Sequence, residues 1–193
     1  IVRMMARSWL ELRRDLSLAV LLENRRSFTG EAFFSASHAY GSHALANLTS
    51  EALSVTTFEA AFAAAAGWRF SDGRPVKTRF THLIVGEKLR RTAWNIVQNS
   101  RAEVGEAGAV VDNPNYQRVK LLVWPELTGD FDDYWFLVDG SKPVKPVALQ
   151  VRKDPVPVMD QDAATVARQG FVDFLASGRL AAAPTFPHLA YGG

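Results

Sequence analysis

The sequence predicts an α+β fold, with helices and strands in separate stretches of the chain. Three observations support this prediction. Residues 3–24 repeat apolar side chains at steps of three and four, which is the period of an amphipathic helix. Residues 81–100 place a short apolar strand directly before another helical pattern. From residue 118 onwards, β-branched and aromatic runs alternate with turn residues, as strands do.

The first helix is predicted over residues 3–24. Its apolar side chains form one stripe, which carries Met5, Trp9, Leu12, Leu16 and Ala19. Leu10, Leu18 and Leu21 lie off this stripe. We therefore expect the helix to contact neighbours on more than one side.

Two further helices are predicted over residues 56–67 and 87–100. Thr56 and Glu59 have the spacing of a capping box, in which the hydroxyl and the carboxylate each bind an unpaired backbone amide at the helix start. Gly67 is typical of a helix end. The Ala-rich second helix is suited to close packing against another element.

Short strands are predicted over residues 81–85, 118–124, 134–138 and 147–151, where apolar residues run between turn signals. Residues 101–116 are predicted to be a loop, because glycines and an Asn-Pro pair interrupt them.

Residues 163–180 carry a mixed apolar pattern. Val and Phe dominate, which favours a strand, but the spacing fits a helix almost equally well. Both alternatives remain open from the sequence.

Residues 27–50 show no regular period. Small and polar residues dominate, and aromatic residues are spaced among them. Irregular connections of this length are uncommon inside compact domains, and those that occur are usually functional or interfacial. We therefore expect this segment to serve a contact or a function.

Composition excludes several classes of protein. Of the 193 residues, 48% are hydrophobic and 22% are charged, with a net charge of +2, which fits a globular domain and not a disordered tail, a collagen or a coiled coil. The lack of cysteine excludes disulfides, thiolate metal sites and cysteine nucleophiles. No apolar run approaches the roughly 18 residues of a membrane span. The chain begins with Ile1, so we expect a processed product or a fragment.

The sequence offers weak candidates for a metal site. His38 and His43 are five residues apart, with no carboxylate at ligand spacing. The runs Asp130-x-Asp132-Asp133 and Asp160-x-Asp162 do not continue into a calcium loop with its glycine and distal glutamate. Turns are the simpler interpretation of both runs.

No catalytic motif is recognisable: the G-x-S-x-G elbow, the P-loop and G-x-G-x-x-G are all missing from the sequence. A small α+β hydrolase using Ser37 with His38 or His82 stays an alternative, although proximity in sequence is not triad geometry. A soluble module that binds a partner through residues 27–50 is another. The residues favour a structural or interaction protein over an enzyme.

Several stretches resemble one family, the major head subunit of Mu-like prophages, within the tailed-phage major capsid fold of the HK-ninety-seven type. Residues 28–41 (FTGEAFFSASHAYG), followed by Asn47-Leu48, are similar to that family's F-x-D-G-x-x-L-F-S-x-x-H segment and its S-N-L. Here Thr29-Gly30 replaces the Asp-Gly pair, and Phe33 replaces Leu.

The later stretches continue the resemblance. Residues 81–93 (THLIVGEKLRRTA) are similar to the family's P-x-x-L-V-V-P-x-x-L-E-x-x-A strand and helix, with Gly86 in place of a proline. Residues 119–127 (VKLLVWPEL) and 134–138 (YWFLV) are similar to the sheet strands that follow. The resemblance extends from about residue 3 to residue 160.

The resemblance implies a structural subunit of a bacteriophage or prophage icosahedral head. Such subunits self-assemble into hexamers and pentamers that enclose double-stranded DNA, with a scaffold or a protease as partners during assembly. It implies no enzyme activity, catalytic residue, cofactor, metal or membrane contact. The implied location is the virion capsid, after assembly in the host bacterial cytoplasm. An encapsulin-like nanocompartment shell has the same fold and stays an alternative, ahead of the hydrolase.

The resemblance also implies a domain organisation. Residues 1–50 would hold the long spine helix and the irregular connection of the peripheral domain. Residues 51–145 would form the axial domain, with a mixed sheet and helices, and residues 146–193 would return to the peripheral domain. The N-terminal arm and the extended loop of the fold would precede Ile1 and be missing, so we expect residues 1–193 alone to be monomeric or to form small oligomers.

The first helix is rich in arginine. Residues 1–26 carry six arginines against three acidic residues, for which a solvated helix face is the simplest interpretation. In a head subunit this face, with Arg7, Arg13 and Arg14, would look into the shell and meet DNA through phosphate charge alone.

Overall fold

The computed structural model describes residues 2–104, 109–159, 167, 170 and 174–193. In these ranges the chain combines three α-helices with several small sheets, so the predicted α+β class is confirmed. The helices are α1 (Val2–Leu22), α2 (Val55–Gly67) and α3 (Arg90–Val97). The strands are β1 (His38–Tyr40), β2 (His43–Leu45), β3 (His82–Val85), β4 (Arg101–Val104), β5 (Ala109–Asp112), β6 (Lys120–Val123), β7 (Trp135–Val138), β8 (Val147–Met159), β9 (Phe174–Pro184) and β10 (Ala190–Gly192).

The chain divides into two compact units. The smaller unit contains Ile1–Glu23 and Val147–Ala183, and the larger unit contains Asn24–Pro146 and Pro184–Gly193. In the described part of the chain, no helix combines the length and the hydropathy needed to cross a membrane.

In the smaller unit, α1 packs against β8, which pairs with β9 in a two-stranded sheet. A Cβ atom at Gly178 would lie 2.6 Å from the Trp9 ring, so the lack of a side chain lets the helix approach the sheet. The predicted first helix is confirmed. Leu18 and Leu21, which lie off the predicted stripe, are buried, whereas Leu10 is exposed.

The larger unit is built on a four-stranded mixed sheet in the order β10-β7-β3-β6. β3 runs parallel to β6 and antiparallel to β7, so that Leu83 lies between Leu121 and Leu137. Both helices of this unit contribute to one hydrophobic core with the sheet, through Phe58 and Ala61 of α2 and Ala93, Ile96 and Val97 of α3.

The two edges of this sheet differ. The β10 edge is bordered by residues 47–49, because the Gly192 amide donates to the Asn47 carbonyl and the Thr49 amide donates to the Gly192 carbonyl, both at 2.9 Å. On β6, the amides of Lys120 and Trp124 point to β3 and donate to Thr81 and Val85. Backbone direction alternates along a strand, so Leu121 and Val123 direct their amides and carbonyls away from β3.

The capping box predicted at Thr56 and Glu59 is wrong. The N-cap of α2 is Ser54, whose hydroxyl accepts from the Thr57 amide at 3.1 Å, while the Thr57 hydroxyl accepts from the Ser54 amide at 2.8 Å. Glu59 instead accepts a hydrogen bond from the Asn115 side chain at 2.7 Å. Thr57, three residues after the cap, thus accepts the hydrogen bond from the N-cap amide that the prediction gave to a glutamate.

The third helix is shorter than predicted, and the predicted loop over residues 101–116 is wrong in part. Asn113 ends α3, because its side-chain amide donates to the carbonyls of Ile96 and Asn99 at 2.9 and 2.7 Å. β4 and β5 pair as an antiparallel hairpin. Gly105 and Gly108 predict a loop over the whole stretch, but the residues before and after them form strands.

The C-terminal strands are longer than predicted. β8 continues to Met159 through Pro155 and Pro157, which is tolerated because a two-stranded sheet has only edge strands. In the stretch 163–180, the strand alternative is confirmed for residues 174–180 of β9. Residues 163–166, 168–169 and 171–173 lie outside the described residues.

Gly86 lies between β3 and α3 and packs closely against Leu127, in the segment that follows β6. A Cβ atom here would collide with the carbonyl oxygen of Leu127 and lie 3.1 Å from the Leu127 Cβ. We expect Gly86→Ala to lower the free energy of unfolding by about 1–3 kcal/mol, because overpacking moves the backbone. Urea unfolding followed by circular dichroism measures this.

The matched control is Gly67→Ala. Nothing lies within 4 Å of a Cβ atom at Gly67, at the end of α2. This variant should be neutral or more stable, because alanine favours the helix. Equal effects of the two substitutions would contradict the close packing at Gly86.

Candidate functional site

A buried polar cluster joins the irregular segment 27–50 to the C-terminal residues; it consists of Thr29, His38 and Asn47 and is called the polar cluster below. The Asn47 side-chain nitrogen lies 2.8 Å from the Phe33 carbonyl, 3.0 Å from the Pro187 carbonyl and 3.2 Å from the Ala190 carbonyl. Its side-chain oxygen accepts from the Ser35 amide at 2.9 Å. One buried amide therefore holds two segments about 140 residues apart in the chain.

His38 occupies the centre of the polar cluster and is 0% exposed. Its Nε2 lies 3.2 Å from both the Phe33 carbonyl and the Asn47 side-chain oxygen, and its Nδ1 lies 2.9 Å from the Thr29 hydroxyl. Because both neighbours of Nε2 are acceptors, we assign the ring proton to Nε2, which leaves Nδ1 to accept from Thr29.

These bonds leave His38 no nitrogen with which to activate Ser37. The Ser37 amide donates to the Ser35 hydroxyl at 3.2 Å, and Ser37 itself is exposed while the His38 ring is buried. His82 bonds Thr81 through Nδ1 at 2.8 Å, and burial, with Lys120 and Lys145 nearby, lowers its pKa. The geometry therefore does not favour a hydrolase built on Ser37.

The pair His38 and His43 does not form a metal site, because both ring nitrogens of His38 are bonded within the polar cluster. Asp132 and Asp133 both accept from Lys88, at 3.0 and 2.7 Å. In the described ranges, no three His, Cys, Asp or Glu side chains lie close enough together to hold a metal ion. Asp160 and Asp162 lie outside the described residues.

A second long-range contact lies close by, between Tyr40 and His188. The Tyr40 hydroxyl lies 3.1 Å from His188 Nδ1, and Phe186 stacks on the His188 ring. Burial lowers the pKa of His188 to about 4, with Lys142 adding to the effect and Asp139 opposing it. Burial also raises the pKa of Tyr40 to about 12. Both groups are therefore neutral at pH 7, with the tyrosine as donor.

Sequence reasoning gave neither contact a role. Asn47 belongs to a motif of the resemblance, and its local signal is a polar residue inside a stretch with no regular period. Its acceptors are backbone carbonyls of residues 187 and 190, and any residue supplies such a group. No local pattern could have identified these partners.

The arginines expected to face DNA lie on two sides of α1. Arg7 and Arg14 are seven residues apart and share one exposed face, and Arg7 pairs with Glu11 at 2.9 Å. Arg13 is half-buried and borders an apolar groove formed with Met5, Trp9 and Pro155.

Comparison with known proteins now adds to this geometry. The family described as "Mu-like prophage major head subunit gpT" matches residues 24–127, which is just over half of the chain. The chain belongs to this family. The matched range contains the polar cluster, α2, β3, α3 and β6. The resemblance seen in the sequence is thereby confirmed, and the gpT family is one of structural head subunits rather than of enzymes.

A search of curated proteins finds no match. Among solved structures, "Bacteriophage JBD30 capsid" is 31% identical over 44% of this chain and 26% of that chain, with a TM-score of 0.34. The match spans about a quarter of the length of that capsid chain.

The polar cluster makes a direct prediction for Asn47→Ala. Losing the side-chain amide removes the acceptor of the Ser35 amide and one donor from the buried carbonyls of Phe33, Pro187 and Ala190. Each buried group left unsatisfied costs about 1–3 kcal/mol, so we expect the free energy of unfolding to fall by at least about 2 kcal/mol. Chemical denaturation measures the loss.

The control is Asn95→Ala on the exposed side of α3, which should change stability little or raise it, because alanine favours a helix. Hydrogen exchange at the Ser35 and Gly192 amides should rise in Asn47→Ala alone. Unchanged exchange there would contradict the role of Asn47 in joining the two segments.

Proposed function

We propose that this gpT-family chain is a structural subunit of a phage or prophage head. The observation that carries the proposal is the family match over residues 24–127. The subunit assembles with itself into hexamers and pentamers that enclose double-stranded DNA, with a scaffold or a protease as partners during assembly. Its final place is the virion capsid, and it assembles in the host cytoplasm.

A shell subunit needs complementary surfaces rather than a reactive cleft. Head-to-tail contacts between copies form a closed ring when a whole number of equal rotations between neighbours makes 360°. Each contact can be weak, because many contacts per subunit act together. A wrongly placed subunit can then still dissociate. A chain in which the buried polar groups all serve to hold segments together suits this task.

The domain assignment is part of this proposal. α1, with 21 residues, is the spine helix of a peripheral domain that begins with residues 1–50. Residues 51–145 are the axial domain, and residues 146–193 return to the peripheral domain. Support comes from the separate packing of α1 on β8 and of α2 and α3 on the mixed sheet. The compact units place residues 24–50 with the mixed sheet. The proposed boundary at residue 50 therefore follows the order of the family's domains along the chain and not the compact units.

An encapsulin-like nanocompartment shell is the alternative, since one fold serves both kinds of shell. Cargo distinguishes them: a head subunit encloses double-stranded DNA, and a nanocompartment encloses an enzyme.

Electron microscopy of the complete gene product, expressed with its neighbouring assembly genes, tests the proposal. We expect closed shells that contain nuclease-resistant DNA, because rings of a heterologous contact close into a shell. The same cells expressing Asn47→Ala should yield fewer shells.

The contrary result is soluble monomer under all conditions, or shells that contain protein and no DNA. The first would reject a shell protein, and the second would favour a nanocompartment.

We also propose that Arg7, Arg13 and Arg14 meet the packaged DNA. We expect the triple substitution to glutamine to weaken binding of the chain to random duplex DNA. If each arginine contacts one phosphate, the slope of log K against log salt should become less steep by about 3. Fluorescence anisotropy over a salt series measures this.

The control replaces three exposed arginines of the larger unit, Arg74, Arg79 and Arg101, with glutamine. If the slope of log K against log salt changes equally in both variants, DNA responds to the overall charge of the chain and not to the arginines of α1.

A further inference from the structure

An open groove lies between α3 and β6, the strand at the edge of the mixed sheet among the described strands; it is called the edge groove below. Its volume is about 720 Å³. Its lining includes three large side chains that are substantially exposed: Trp94 (45%), Tyr116 (45%) and Leu122 (39%). Beside them, the backbone of β6 directs amides and carbonyls outward, away from β3. The edge groove is thus a largely apolar surface next to strand backbone that no other described strand pairs with on this side.

These side chains are typical of a protein contact. Trp, Tyr and Arg are the residues that most often dominate binding energy at interfaces. Native proteins usually cover or charge an open sheet edge to prevent unwanted pairing. Here the opposite edge, at β10, is bordered by residues 47–49, whereas β6 presents Leu122 to solvent. The difference points to a partner at β6.

The charged residues at the edge groove and on the adjoining surface are mostly basic. Lys120 lines it, and Arg90 and Arg91 line the surface that continues past Trp94. The acid on this continued surface, Glu87, is paired with Arg90 at 2.9 Å. An acidic partner would therefore find Arg91 and Lys120 available.

The same chain carries an acidic surface in the segment that joins β6 to β7. Glu126, Asp130, Asp132 and Asp133 lie there, and Lys88 pairs with the last two. Leu127 anchors the segment in the core, and exposed Tyr134 ends it. This acidic segment, residues 126–134, is held in place and complementary in charge to the edge groove.

Two different, complementary surfaces on one chain are what head-to-tail association requires. A nucleic acid would match the positive charge but would leave the acidic segment without a partner. We infer that the edge groove of one copy receives the acidic segment 126–134 of a second copy. This inference rests on the proposed head-subunit function and names the contact surface that it needs.

Charge reversal tests the contact with Arg91→Glu and Asp130→Lys. Both residues are exposed, and a glutamate in the first turn of α3 is favoured by the helix dipole. We expect each variant alone to weaken self-association at least tenfold in sedimentation velocity. An equimolar mixture should restore association to within about threefold, because the reversed groove of one variant then meets the reversed segment of the other.

Lys120→Glu is the second groove variant, for the case in which Arg91→Glu does not fold by circular dichroism. The matched controls are Arg152→Glu and Glu51→Lys, which change charge at exposed positions outside both surfaces. Their self-association should equal that of the wild type.

The outcomes separate the two proposals. If wild type associates and the groove and segment variants associate equally well, the edge groove is not the contact, and the head-subunit function stands. If the single variants fail and the mixture does not recover, the pairing of groove with segment is wrong. If Arg91→Glu loses only binding to a random DNA oligonucleotide, the groove is a nucleic-acid surface. A wild type that stays monomeric and forms no shell in the complete gene product rejects both proposals.

Discussion

The side-chain amide of Asn47 is the interaction that joins the irregular segment 27–50 to the last residues of the chain. It sits in a fully buried position and bonds the backbone of residues 33 and 35 on one side and residues 187 and 190 on the other. An irregular segment cannot satisfy its own backbone as a helix or a sheet does. A buried amide with two donors and an acceptor supplies the missing bonds, and His38 and Thr29 complete the cluster.

This cluster also determines one edge of the sheet. Because Asn47 fixes residues 47–49 beside β10, the last residues of the chain are covered on their outer side. The opposite strand, β6, receives no such cover from the described residues that pair through their backbones. Among the described residues, the two edges of the sheet therefore differ: residues 47–49 border β10, and β6 pairs only with β3.

The buried polar side chains described in the larger unit bond other parts of the chain. His38 is enclosed by acceptors and a hydroxyl, and His188 is kept neutral by burial while it accepts from Tyr40. Lys88 pairs with Asp132 and Asp133, two of the weak candidates for a cation site in the sequence. A family of head subunits, whose work is done by surfaces, is consistent with side chains used in this way.

By itself, the sequence determined α1, α2, the strands β3, β6 and β7, and the membership of the gpT family. Apolar periods and motif order are local properties, so they can be read without knowing what packs against what. Tertiary structure alone decided the cap of α2, the hairpin of β4 and β5, the place of β10 in the sheet and the partners of Asn47 and His188. The place of β10 and the partners of Asn47 and His188 depend on groups far apart in the chain. A backbone carbonyl or amide looks the same at every residue, so only the folded chain shows which ones meet.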